Sequence, residues 1–222
     1  MRSFDEIFDM AAERHGGHAA LDARLEPPSD AATLAAIPDD RWLSMMTRAV
    51  FQAGFSWKVI ENKWPGFEEA FEGFELGRCA MMDDDWFDRL VSDTRIVRNP
   101  IKIRTVPVNA VFLSDLSKEY GGVGKALGGW PSDDFIGLLE LMKKRGSHIG
   151  GTSGQYFLRF AGVDSFILSR DVVGRLIAEG VIDKQPTSKK AMRAVQDAFN
   201  EWRAQSGRSL KEVSRVLAMS IG

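Results

Sequence analysis

The sequence predicts an all-α protein, and three kinds of observation predict it. Apolar residues recur at helical spacing, helix-start signals precede the periodic segments, and glycine or proline closes them. The one strand-like run, Asp164-Ser165-Phe166-Ile167-Leu168, is short, lies between two helical patterns and reads as an extended connector.

Taken in order, Ser3 and Glu6 form a capping box for an acidic amphipathic helix that ends at Gly16-Gly17. Asp40 to Gln52 reads as a helix carrying Trp42, Leu43, Met46, Ala49 and Val50 on its apolar face. Gly54 stands where a left-handed residue would end that helix, and Ser56 is placed to cap the next, which leaves Phe55 at the apex of a tight helix-turn-helix. Pro100 to Tyr120 is a long amphipathic stretch that Pro107 should bend or restart. Ser132 is expected to cap a helix with Phe135, Leu138, Leu139 and Met142 inward, stopping at Gly146. Thr187-Ser188 opens a helix with Met192, Val195, Phe199 and Trp202, and Ser209 with Glu212 is a second capping box before Val213, Val216 and Leu217.

A chain of 222 residues with 44% hydrophobic content is ample for one core, alone or with a smaller helical lobe. No apolar run reaches membrane-spanning length, and the first residues begin a helix instead of a signal peptide, so a cytoplasmic protein is expected. The single cysteine, Cys79, leaves no internal disulfide and lies in an apolar stretch that suggests buried packing. The net charge of −2 hides a segregation: residues 1–94 hold 9 Lys and Arg against 19 Asp and Glu, whereas residues 95–222 hold 20 against 12. Arg95, Arg98, Lys102 and Arg104 form one basic cluster, and Lys143, Lys144, Arg145, Arg159, Arg170 and Arg175 a second, a distribution that suits a polyanion surface.

In Lys143-Lys144-Arg145-Gly146-Ser147-His148-Ile149-Gly150-Gly151-Thr152-Ser153-Gly154, cations lead into a bare-backbone turn that opens a helix. Gly150 and Gly151 let the main chain approach an anion, and the free N–H groups of the following helix carry partial positive charge toward it. The segment fits a phosphate site or a plain connection between helices. In Gln52-Ala53-Gly54-Phe55-Ser56-Trp57, Phe55 either folds back as a hydrophobic staple on the second helix or serves as a wedge in a base stack. Trp57 then offers an aromatic face to an extruded base, or is an ordinary core residue.

Together these segments resemble the DNA-3-methyladenine glycosylase I family, a branch of the helix-hairpin-helix glycosylase superfamily. The resemblance runs from about Arg41 to Arg175, through Gln52 to Trp57, Leu90-Val91-Ser92-Asp93-Thr94-Arg95-Ile96-Val97-Arg98-Asn99 with Lys102-Ile103, and Leu141 to Arg175. It implies a helix-hairpin-helix DNA glycosylase fold: a single helical domain over 1–222, with a core at about 41–175 and additional helices over 1–38 and 186–222. It further implies a hairpin that grips the DNA backbone through main-chain N–H groups and a pocket for a flipped, alkylated adenine.

Site residues follow from the same resemblance. Trp57 matches the family's pocket aromatic, and Gln52, one turn before the apex, reads a base edge or caps the turn. Gly54 and Phe55 form the wedge. Lys143, Lys144, Arg145, Gly150, Gly151, Thr152, Ser153 and Arg170 are the expected backbone contacts. Asp171 falls within one residue of the superfamily's essential Asp, although strict alignment puts Arg170 there. It is either the catalytic carboxylate or a first-turn acid that suits the helix dipole.

The sequence also departs from the family. Ala49 replaces the carboxylate that contacts the extruded base, so another acid supplies the contact or the substrate differs. The family's second pair of structural zinc ligands falls on Asp171 and Arg175, and no cysteine precedes Cys79, so no metal is expected, and no cofactor. A lyase step needs a lysine near the superfamily Asp, and none lies between Arg145 and Lys184. The reading is a monofunctional, monomeric glycosylase that hydrolyses the N-glycosidic bond of a 3-methyladenine-like purine in duplex DNA and associates with the nucleoid. A catalytically degenerate lesion-binding protein of the same fold and a helical interaction scaffold with no nucleic-acid role are the alternatives.

Overall fold

The computed structural model describes residues 1–221, and every regular element among them is helical. In chain order the α-helices are α1 (Phe4–His15), α2 (His18–Asp22), α3 (Ala31–Ala35), α4 (Asp39–Gln52), α5 (Trp57–Ala70), α6 (Leu76–Ala80), α7 (Asp84–Ser92), α8 (Pro100–Ile103), α9 (Thr105–Tyr120), α10 (Val123–Gly128), α11 (Phe135–Arg145), α12 (Thr152–Phe160), α13 (Arg170–Ala178), α14 (Lys189–Ser206) and α15 (Leu210–Met219). Single 3-10 turns occupy Glu72–Phe74 and Ser132–Asp134.

The punctuation acts largely as expected. Both capping boxes, Ser3 with Glu6 and Ser209 with Glu212, are formed in full, and Gly16 leaves α1 with a left-handed backbone. Pro107 lies in the first turn of α9, where its missing N–H costs no helical bond, and the break it enforces falls at Arg104. Residues 164–168 are irregular, as a connector should be. Ser132 departs from expectation: it begins a 3-10 turn, α11 starts at Phe135, and the serine hydroxyl donates to Asp164 Oδ2 at 2.8 Å.

The chain divides into two compact units. One comprises Met1–Ser29, Pro131–Gly137 and the chain from Gly162 onward. Its core is an aromatic run in which Phe166 meets Phe135 at 4.8 Å and Phe199 at 4.4 Å, with Trp202 edge-on to Phe199. Beside it Arg175, 3% exposed, donates to Glu179, to the Ser220 hydroxyl and to the Ser220 carbonyl, while Arg2 reaches the same Glu179 from the N-terminus at 2.8 Å.

The other unit comprises Asp30–Trp130 and Leu138–Ala161. Helix α4 runs through it with Trp42, Leu43, Met46, Val50 and Phe51 buried, and Trp42 meets Phe157 of α12 edge-on. Phe67 of α5 stacks on Phe71, and Phe71 on Phe74, in the turn that follows the helix. Cys79 is buried here, its thiol pushed up to about 12, first by burial and then by Glu75 and Glu72. Such a thiol is inert packing at neutral pH. Among the described residues no helix is long and apolar enough to cross a membrane.

Candidate functional site

The site is assembled where α4 ends, α5 begins and α12 begins, all within the second unit. Helix α4 stops because Ala53 turns extended and Gly54 takes φ +79°, a conformation that favours glycine. Phe55 N–H then donates back to Gln52 O at 3.3 Å and closes the turn. Ser56 stands at the N-cap of α5, but its hydroxyl makes no capping bond; its carbonyl accepts from Val59 and Ile60 instead.

Helix α12 is brought to the same place by its own loop. Asn109 of α9 accepts from Ser147 N–H at 2.7 Å and donates to Ser147 O at 3.2 Å, which fixes the chain after α11. Gly150 lies so close to Lys143 that a Cβ there would stand 2.5 Å from the lysine Cβ, and one on Gly154 would meet Ile149 O at 2.0 Å. These two glycines therefore permit close packing. Gly151, by contrast, has open space around it.

Between the two helix starts is a cleft of about 280 Å³ lined by Ala49, Gln52, Ala53, Gly54, Trp57, Thr152, Ser153 and Tyr156. Five of the expected site residues, Gln52, Gly54, Trp57, Thr152 and Ser153, meet there across a hundred residues of sequence. Trp57 is 42% exposed and stands edge-on to Tyr156 at 5.3 Å and to Phe160 at 5.5 Å, so it is not an ordinary core tryptophan. Tyr156 and Phe160 are not singled out by the sequence motifs; the signal for them is an aromatic pair four residues apart on the helix that the glycine turn opens.

Every side chain lining the cleft is uncharged. Gln52 is 6% exposed, and among the described residues no hydrogen bond is formed to its amide. It does not cap the turn through its side chain. Its amide presents both a donor and an acceptor to whatever enters.

Phe55 is exposed at the apex, with the Lys102 ammonium 4.8 Å from its ring centroid, and is not buried as a staple. Lys143 and Lys144 are exposed at the end of α11. Arg145 does not stand with them as a free cation: it donates to Glu119 at 2.8 and 3.1 Å and to Asp115 at 3.4 Å, and lies over Phe112. The bond to Glu119 holds its guanidinium above the ordinary arginine value. Arg95 is likewise engaged, with Asp93 and Glu69. Arg170 and Asp171 belong to the first unit, both exposed in the first turn of α13, where Ser169 already accepts from Val172 N–H as the cap.

Two helix starts and one helix end around an aromatic, uncharged cleft suit a planar polar heterocycle attached to a phosphate chain. Residues 35–132 match the family model described as methyladenine glycosylase. Among solved structures, a 3-methyladenine DNA glycosylase I is 21% identical, with 65% of this chain and 87% of that chain covered at a TM-score of 0.50. The Staphylococcus aureus 3-methyladenine DNA glycosylase I is 19% identical, with 70% and 91% covered at 0.50. The 8-oxoguanine glycosylase/lyase of Methanocaldococcus jannaschii, solved with DNA containing 8-oxoguanine, is 12% identical, with 96% and 95% covered at 0.51.

The chain has the helix-hairpin-helix DNA glycosylase fold. It resembles the 3-methyladenine DNA glycosylase I branch in the middle of its sequence, and the archaeal 8-oxoguanine enzyme over nearly its whole length.

Proposed function

We propose that this protein is a monofunctional DNA glycosylase that flips a damaged purine of the 3-methyladenine kind out of duplex DNA and hydrolyses its N-glycosidic bond. The observation that carries the reading is the meeting of exposed Trp57 with Tyr156 and the free amide of Gln52 in one cleft, beside the N-terminus of α12. A planar base stacks on the indole, and a cationic alkylated purine adds cation–π attraction, together on the order of 1–3 kcal/mol. Gln52 offers its donor and acceptor to a base edge. Phe55 enters the gap left in the stack.

Gly150, Gly151, Thr152 and Ser153 present the backbone N–H groups of a helix start to a phosphate, and Lys143 and Lys144 add charge. Alkylation leaves the base positively charged and so already activated as a leaving group. The bond from C1′ to the base breaks, its electron pair stays with the base, and a water oxygen bonds to C1′ as that water releases a proton to solvent. Asp171 is the carboxylate proposed to stabilise the intervening oxocarbenium ion, an assignment that rests on its sequence position. No lysine between Arg145 and Lys184 is available for a lyase step.

One observation favours a second reading: Ala49, 5% exposed in the cleft wall, supplies no acceptor where the family has a carboxylate. In that reading the pocket holds lesions without excising them. Incubation with duplex DNA treated with a methylating agent, followed by chromatography of the supernatant, separates the two. Free methylated purine supports the glycosylase; tight binding with no base release supports the lesion-binding protein.

A further inference from the structure

We propose that Lys102 is the positioning residue of the wedge: its ammonium locks the α4–α5 turn so that Phe55 is presented to the base stack and the cleft behind it keeps its shape. This rests on the glycosylase reading of the cleft. Lys102 Nζ donates to Val50 O at 2.8 Å, to Phe51 O at 3.3 Å and to Ala53 O. An ammonium has three N–H donors, and all three are spent on carbonyls that the end of α4 leaves unpaired. The same nitrogen lies 4.8 Å from the Phe55 ring centroid and 5.9 Å from that of Phe51. One charge thus braces the backbone of the turn and faces the aromatic ring at its tip.

The support behind Lys102 is rigid. Asn99 caps α8 by accepting from Lys102 N–H at 3.1 Å, Pro100 opens that helix, and the Thr105 hydroxyl donates to Lys102 O at 2.7 Å. Ala53, whose carbonyl the brace holds, lines the cleft between Gln52 and Gly54. Burial lowers the ammonium below the ordinary lysine value, and half-burial with all donors committed removes it from the set of cations that can grip a phosphate. Its place in the basic cluster of residues 95–104 is therefore structural, and its effect on DNA passes through Phe55.

The test uses the full chain and a duplex carrying 2-aminopurine next to a tetrahydrofuran abasic site, in which fluorescence reports unstacking whether or not any base is released. Wild-type protein should raise the fluorescence on binding, and Lys102→Met should reduce the unstacked fraction by about fivefold, the size of one cation–π interaction with its helix-capping bonds. The salt dependence of duplex affinity should be unchanged, because Lys102 grips no phosphate. In a Phe55→Ala background, Lys102→Met should add little further loss, since both act through the same turn. Lys102→Gln, which keeps amide donors but no charge, should fall between and gives a second variant if methionine impairs folding.

A salt slope flattened by about one unit would make Lys102 a phosphate ligand and overturn the proposal. So would additive losses in the double variant, or wild-type unstacking in Lys102→Met. Unstacking without base release from methylated DNA would retain the brace and refute only the excision.

Discussion

At the scale of single residues, Gln52 and Ala49 share a wall of the cleft one helical turn apart, and only Gln52 brings a polar group to it. On the proposed reading the base is held by stacking on Trp57 and by the Gln52 amide, with no carboxylate at Ala49. Asp171 has a sharper test. If it stabilises the developing oxocarbenium ion, Asp171→Asn lowers single-turnover excision by roughly 100-fold or more. Ser169 is already the cap of α13, so an acid serving the helix dipole alone would cost about 0.3–1 kcal/mol of stability on replacement and leave excision intact. Measuring excision and thermal midpoint on one preparation decides between them. Trp57, Gln52 and Gly54 are legible in the sequence because block, spacing and turn chemistry coincide there. Lys102 is not: in sequence it looks like one more DNA-facing cation, because its side chain reaches backbone carbonyls some fifty residues away and no local pattern encodes that reach.

At the scale of elements, the starts and stops are readable wherever the cap is a local motif. Ser3 with Glu6, Ser209 with Glu212, Gly54 and Pro107 all act within one turn of themselves. Ser132 fails as a cap because a residue distant in sequence, Asp164, takes its hydroxyl, whereas Ser56 begins α5 through its carbonyl alone. The cations of α11 divide on the same principle. Lys143 and Lys144 are exposed, whereas Arg145 is held by Glu119 and Asp115 of α9. Replacing both lysines by Ala should weaken binding to every duplex alike and flatten the salt slope by about one unit for each phosphate that the pair neutralises. Arg145→Ala should leave the slope near that of the wild type and lower the thermal midpoint, which titration of affinity against salt and a melting scan would check.

At the scale of the whole molecule, the charge segregation seen in the sequence gives a basic second half, while the division into two units is not readable there, because residues 131–137 join termini far away in sequence. The resemblance places zinc ligands at Asp171 and Arg175; here Arg175 is bound to Glu179, and Glu179 to Arg2, so an ion-pair cluster ties the N-terminal segment to α13. Burial alone would raise the Glu179 carboxyl, but the N–H groups of Arg2 and Arg175 outweigh it and hold it below its ordinary value of 4.5. A lowered carboxylate contributes stability above that value and loses it as the pH falls through the folded-state value. The thermal midpoint should therefore drop below about pH 4.5. Glu179→Gln should remove that part of the acid dependence and cost roughly 3 kcal/mol by leaving buried Arg175 without its counter-charge.

The central claim, that the cleft holds a flipped base against Trp57, is tested most directly by base release from methylated duplex DNA, measured for wild type and Trp57→Ala alongside their duplex affinities. Stacking acts on the extruded base, while phosphate contacts supply most of the binding. The wild type should release methylated purine, and Trp57→Ala should lose that release with its duplex affinity and thermal midpoint nearly unchanged. Equal base release by the two proteins, or loss of excision, affinity and folding together in Trp57→Ala, would contradict the account.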